Sequence, residues 1–193
     1  MKIGCILLAA GFGKRFGGNK LMHIVNGQTM VAHACTLHSS LPYDARILVS
    51  HPGDLAVQDC ATTHGFFVVI NERAPEGIGT SASRGIAALC TLPDHFDGAL
   101  FGVCDQPYLT VETVRRLLAA FALHPDRILA LEQDGRRGNP VIFPHSMFAE
   151  LSKLDGEHGG STVVRLHPEL LMTISVVTAR ELTDIDTKEG NPK

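Results

Sequence analysis

Four glycines and three cations fall between Ala10 and Lys20, directly after the apolar run Ile3–Ala9. Glycine lets a backbone turn sharply and bring its N–H groups against phosphate oxygens. Lys14, Arg15 and Lys20 add positive charge where a triphosphate would lie. Arginine can grip two oxygens at once, and lysine acts as a point charge. Two well-known phosphate loops are near misses. Gly13 to Gly18 begins a G-x-x-x-x-G-K-[ST] loop, but Asn19 delays the lysine by one place. Gly11 and Gly13 begin a G-x-G-x-x-G fingerprint, but Phe16 stands at the third glycine and Gly17 comes one late. The bland alternative is a glycine-rich turn with no ligand; the density of cations argues against it.

Other residues suited to chemistry lie further along. The apolar run Ala99–Val103 leads into Cys104-Asp105-Gln106-Pro107. A carboxylate at the end of a parallel strand stands where open α/β sheets bind ligands, and it can hold Mg²⁺ beside substrate phosphates. Closing a turn or capping the next helix would be its structural use. Asn71 to Ser83 contains Gly77 and Gly79, which permit close backbone approach, and Thr80 and Ser81, which can cap a helix. Arg136 and Arg137 sit between glycines in Gly135 to Phe143, as an anion site or as a solvated hairpin tip. Asp184 and Asp186 alternate, so a strand there would point both the same way. None of the ten histidines forms H-x-x-x-H or H-E-x-x-H.

These residues need a scaffold, and the apolar pattern supplies one. Strands are expected at Ile3–Ala9, Arg46–Ser50, Phe66–Ile70, Ala99–Val103, Ile128–Glu132 and Val141–Phe143. Helices are expected at Met30–Ser39, Asp54–His64, Ser81–Leu92, Val111–Leu123 and His145–Leu154. Such alternation predicts an α/β fold with a mainly parallel sheet between helical layers. The sharpest helix is Val111–Leu123, with one apolar stripe, Thr110 as N-cap and Arg115 and Arg116 facing water. His23, Asn26, Gly27 and Gln28 are expected in a turn after the phosphate loop. The 193 residues fit one domain spanning 1–193, with polar residues Lys188 to Lys193 frayed. A net charge of −3 offers no broad basic face, so nucleic acid is not an expected partner. The five cysteines contain no C-x-x-C pair and fit reduced thiols in a cytoplasmic protein. The apolar start is short and lacks a cleavage site, so no targeting segment and no membrane association are expected.

The pattern L-A-A-G-x-G-x-R-F-G-x-x-K is carried by Leu8, Ala9, Ala10, Gly11, Gly13, Arg15, Phe16, Gly17 and Lys20. It resembles the nucleotidyltransferases of the Rossmann-like, GT-A-like three-layer fold, and within them the MobA/MocA-like group. The resemblance implies a loop that holds the triphosphate, Lys14 included, with Arg15 and Lys20 on phosphates. C-D-Q-P is similar to the family's G-D-[QM]-P, whose aspartate binds the catalytic Mg²⁺; Asp105 takes that role. Asn71, Gly77 and Ser81 match the segment bordering base and ribose. Arg137, Gly138, Asn139 and Pro140 match the acceptor side, with Gln106 and Pro107. Asp184 to Glu189 matches a late motif near the metal, with Asp186 as the second ligand and Asp184 as the alternative. Departures are Cys104, Ala82, Asn139 for histidine, Glu157 and Ser161 in a G-D-x-G-A-R-like stretch, and Lys188 for proline.

The activity implied is transfer of a nucleoside monophosphate to a phosphorylated small molecule, releasing pyrophosphate. Ala10 favours CTP over GTP. Molybdopterin, the molybdenum cofactor, is the expected acceptor, and a molybdoenzyme would receive the product. A sugar phosphate is the other acceptor. A cofactor carrier without catalysis and a dinucleotide-dependent oxidoreductase remain open; the latter lacks an acidic ribose ligand where Ser50 and His51 stand.

Overall fold

The computed structural model describes residues 1–13 and 16–186. Lys14, Arg15 and the terminal stretch from Thr187, with the tail expected to fray, lie outside the described residues. Among the described residues nine strands appear in chain order: β1 (Ile3–Leu8), β2 (Ile24–Val25), β3 (Gln28–Thr29), β4 (Ala45–Ser50), β5 (Phe67–Ile70), β6 (Gly98–Val103), β7 (Ile128–Gln133), β8 (Arg136–Pro144) and β9 (Leu171–Ser175). The α-helices are α1 (Met30–Ser39), α2 (Leu55–Thr63), α3 (Ile78–Cys90), α4 (Val111–Leu123), α5 (Phe148–Leu151) and α6 (Gly160–Leu166).

Seven strands form one sheet in the order β5-β4-β1-β6-β8-β7-β9. Only β8 runs antiparallel to its neighbours. β1 is buried on both faces, as a strand covered by helices must be. Its alternation divides the core. Cys5 and Leu7 join the cluster that includes Val31, Val57 and Leu117, from α1, α2 and α4. Ile6 joins the opposite cluster with Ala82, Ile86 and Val163, from α3 and α6. The three-layer α/β architecture expected from the sequence is therefore present. The chain leaves β1 toward β4 and β5, then crosses to β6 on the other side. The ends of β1 and β6, paired at Leu8 and Val103, thus flank the switch point where such sheets bind ligands.

Four expectations are corrected. His145–Leu154 is not one helix but a single 3₁₀ turn followed by the four-residue α5. α3 begins at Ile78, three residues before Ser81, so Thr80 and Ser81 lie within its first turn and do not cap it. Residues 183–186 form no strand. Ile185 is buried among Phe16, Val25 and Met30, with exposed Asp184 and Asp186 on either side. β8 is longer than expected and pairs with β7 across an Asp134-Gly135 turn in which both residues have positive φ. The short segments α6 and β9 are not among the expected elements; β9 is a half-exposed edge strand whose apolar residues Leu171, Met172 and Ile174 pack against the two core clusters. As expected, Thr110 caps α4, accepting from Thr113 N.

Gly85 sets how closely α3 lies on the sheet. A Cβ there would come 2.5 Å from Ile6 Cγ2 and 3.1 Å from Val49 Cγ2. Gly85→Val is expected to destabilise the fold by about 1–3 kcal/mol through overpacking, despite the better helix former. Urea denaturation checks this, and an unchanged midpoint refutes the close approach.

Candidate functional site

The carboxyl ends of β1 and β6 open into a cavity of about 420 Å³. Its lining includes Leu8, Ala9, Ala10, Gly11 and Gly13 from β1 and the loop that follows. Lys20, Asp105, Gly77, Ser81 and Glu157 also line it. Nearly all the nucleotide-site residues inferred from sequence and described by the structure meet here. The exception is Asn71. It is buried behind the wall, where its Nδ2 donates to Thr80 Oγ1 and Ser81 Oγ, each at 2.9 Å. It holds the first turn of α3 and does not line the cavity.

One cation organises the chemistry. Lys20 Nζ donates to Asp105 Oδ2 at 2.7 Å and to Asp186 Oδ1 at 2.8 Å. Burial alone would lower the ammonium's pKa; the hydrogen bonds to Asp105 and then Asp186 prevail and hold it above its ordinary value. The lysine is therefore firmly charged, and it lies between two hard carboxylate oxygens as a metal ion would. Among the described residues no group of three or more His, Cys, Asp or Glu could hold a metal. Two carboxylates suffice for Mg²⁺ when substrate phosphates complete its shell, so Asp105 and Asp186 fit such an ion only together with a phosphorylated ligand. Cys104 lies beside Asp105, but burial pushes its thiol well above the ordinary value, which removes it as a nucleophile.

Several residues that position this set carried no sequence signal. Asn19 Nδ2 donates to Asp54 Oδ1 at 2.6 Å, and the Phe12 ring stacks on His51 with centroids 4.6 Å apart. Both contacts tether the glycine loop to the β4–α2 connection. Asp54 was expected within a helix; it stands at the N-cap of α2 yet spends its carboxylate on Asn19. Ile185 N donates to Asp105 O at 3.1 Å, docking the C-terminal segment on the strand-end loop. Arg180 lies over the Tyr108 ring, 3.6 Å from its centroid, and adds to that docking.

The residues expected on the acceptor side divide. Gln106 and Pro107 line a second cavity of about 210 Å³, next to α1, with His33 and His38. Gln106 Nε2 donates to Asp184 Oδ1 at 2.9 Å, whereas its buried Oε1 has no partner among the described residues. Desolvation, and then the charge of Asp105, raise the Asp184 pKa. Arg137, Gly138, Asn139 and Pro140 lie along β8 and line neither cavity. Gly138 packs against Leu182, whose Cδ1 would stand 2.9 Å from an added Cβ.

The sequence model of the MobA-like NTP transferase domain matches residues 5–171. The chain belongs to this family. Nicotine blue oxidoreductase of Paenarthrobacter nicotinovorans is 31% identical, over 95% of this chain and 92% of that protein. Molybdenum cofactor guanylyltransferase of Shewanella loihica is 30% identical, over 73% of this chain and 67% of that protein. Among solved structures, Rv0371c of Mycobacterium tuberculosis superposes with a TM-score of 0.80 at 24% identity, covering 98% of this chain and 95% of that one. Its manganese complex superposes with a TM-score of 0.72 at 22% identity, over 91% and 89%. Family membership and fold thus agree with the sequence resemblance.

Within this family member, Glu181 is the buried peg of the segment that leads to Asp186. It accepts from Thr110 N, Thr110 Oγ1 and Thr178 N at 3.1, 2.8 and 2.8 Å. Burial raises its pKa, but these bonds and one with Thr113 outweigh that and leave it below the ordinary value. A depressed folded-state pKa stabilises the fold above the unfolded-state value, and the gain is lost as pH falls through the folded one. Glu181→Gln should therefore cost about 1–3 kcal/mol at pH 7, with a smaller difference below pH 4. Urea unfolding of both proteins across pH 3–7 measures it; a pH-independent difference contradicts this role.

Proposed function

We propose that the chain is a Mg²⁺-dependent nucleotidyltransferase of the cytoplasm. It would move CMP from CTP to a phosphorylated acceptor, molybdopterin first among them, and release pyrophosphate. The observation that carries this reading is Lys20 held between Asp105 and Asp186 on the wall of a glycine-lined cavity. Backbone N–H groups of the loop bind phosphate oxygens. Lys20 leaves its carboxylates for the triphosphate, and Arg15 with Lys14 adds charge to the leaving pyrophosphate. Asp105 and Asp186 would together hold a divalent ion, which when bound would supply Lewis-acid stabilisation of charge on the phosphates.

A phosphate-monoester acceptor has its second pKa near about 6 and is already largely ionised at neutral pH, so it needs no general base. Its oxygen forms a bond to the α-phosphorus as the α–β bridging bond breaks, and the electron pair leaves with pyrophosphate. The chain contributes alignment and charge neutralisation. Gln106 and Pro107, with Arg137 to Pro140, take the acceptor side. Ala10 supports CTP over GTP, and the guanylyltransferase relative supports the molybdenum cofactor as acceptor. The manganese complex of the structural neighbour supports a divalent ion in this fold.

One observation favours a second reading. The relative named nicotine blue oxidoreductase matches nearly the whole chain. A dinucleotide would then occupy the same cavity, although Ser50 and His51 replace the acidic ribose ligand.

Pyrophosphate release is to be followed with each NTP, Mg²⁺ and molybdopterin. Release with CTP is expected, and none with any NTP would sink the transferase. Asp105→Ala and Lys20→Met should fold normally and lose at least about 100-fold in turnover. Oxidation of NADH or NADPH in the presence of nicotine blue, with no pyrophosphate in the parallel assay, would establish the second reading instead.

A further inference from the structure

The segment between α5 and α6 is pinned to the start of α3 by backbone alone at its centre. Gly79 N donates to Gly156 O at 2.8 Å. A Cβ on Gly77 would come 2.3 Å from Gly156 O, and one on Gly79 2.6 Å from the carbonyl oxygens of Asp155 and His158. Gly77 also has φ +130°, where side chains are strained. The two glycines thus admit a second backbone at contact distance. Outside this centre, Arg73 Nη2 donates to Asp155 Oδ1 at 2.9 Å, and Gly156 N donates to the same oxygen at 2.9 Å.

This docking sets the exposed Glu157 in the lining of the nucleotide cavity, with its backbone N beside Gly77. Among the described residues none pairs with its carboxylate. The cavity is therefore divided chemically. Lys20 marks the part suited to a triphosphate. Glu157 marks a part where phosphate would be repelled, beside the apolar Ala74, Pro75 and Ile78. An uncharged aromatic base suits that wall, on the condition that it offers the carboxylate an N–H donor. Cytosine presents an amino group at position 4. Uracil presents a carbonyl oxygen there, which would face the carboxylate lone pair to lone pair.

We propose that Glu157 is the base-selecting residue of this site, accepting a hydrogen bond from an exocyclic amino group and so admitting CTP and rejecting UTP. The proposal rests on the nucleotidyltransferase reading above. It assigns Glu157 to substrate recognition, with Gly77, Gly79, Arg73 and Asp155 as the residues that position it. A charge-assisted hydrogen bond lost and replaced by repulsion corresponds to discrimination of about 10- to 100-fold.

Calorimetric titration of the whole chain with CTP and with UTP, each with Mg²⁺ and no acceptor, decides it. The wild type is expected to bind CTP at least about tenfold more tightly. Glu157→Gln can donate to uracil as well as accept from cytosine, so the ratio should fall toward one. Glu157→Ala should lower it too, by weakening CTP. Thermal melting of both variants confirms that this exposed position leaves the fold intact. Equal binding of the two nucleotides by the wild type, or an unchanged ratio in both variants, overturns the assignment while leaving the transferase reading in place. Failure of the wild type to bind any of the four NTPs overturns both.

Discussion

An ammonium group between two carboxylates ties the site together. Lys20 comes from the glycine loop, Asp105 from the end of β6 and Asp186 from the C-terminal segment, so one side chain joins three stretches far apart in sequence. The contacts of 2.7 and 2.8 Å hold these three stretches together beside the cavity.

The surroundings hold this arrangement by ordinary means. The glycine loop is anchored by its own side chains: Asn19 on Asp54, Phe12 on His51, and Phe16 buried with Val25, Met30 and Ile185. Residues 183–186 form no strand, and their position depends on the buried Ile185 and the buried Glu181. Each of these is a single side chain seated in a socket made by other elements. The sheet contributes rigidity: β1 is covered on both faces, and its end places the loop at the switch point of the strand order.

Proteins similar to this chain bear names from two reaction classes, a guanylyltransferase and an oxidoreductase. One fold can host both, because a glycine-lined crevice beside a strand-end carboxylate accepts many phosphorylated ligands. The classes part at particular groups. Nucleotidyl transfer needs a metal-binding pair and a phosphate-facing cation, the roles proposed above for Asp105, Asp186 and Lys20.

Much of this was legible in residue order. The strand pattern of β1, β4, β5 and β6, the helices α1 and α4, the glycine loop and Asp105 all follow from local periodicity, turn chemistry and a family pattern confined to short segments. Such signals are local because buried strands and amphipathic helices declare their period within ten residues or so. The tertiary structure decided what depends on partners distant in the chain. Asp186 faces Lys20 while Asp184 faces Gln106, because Ile185 turns inward between them. Asn71 supports the wall from behind and does not line it. Gly77 and Gly79, read as room for a ligand, make room for the 155–158 backbone as well. The loop of Gly11 to Lys20 was recognisable from its residues alone; the carboxylates that hold its lysine were fixed only when the chain folded β6 and the C-terminal segment against it.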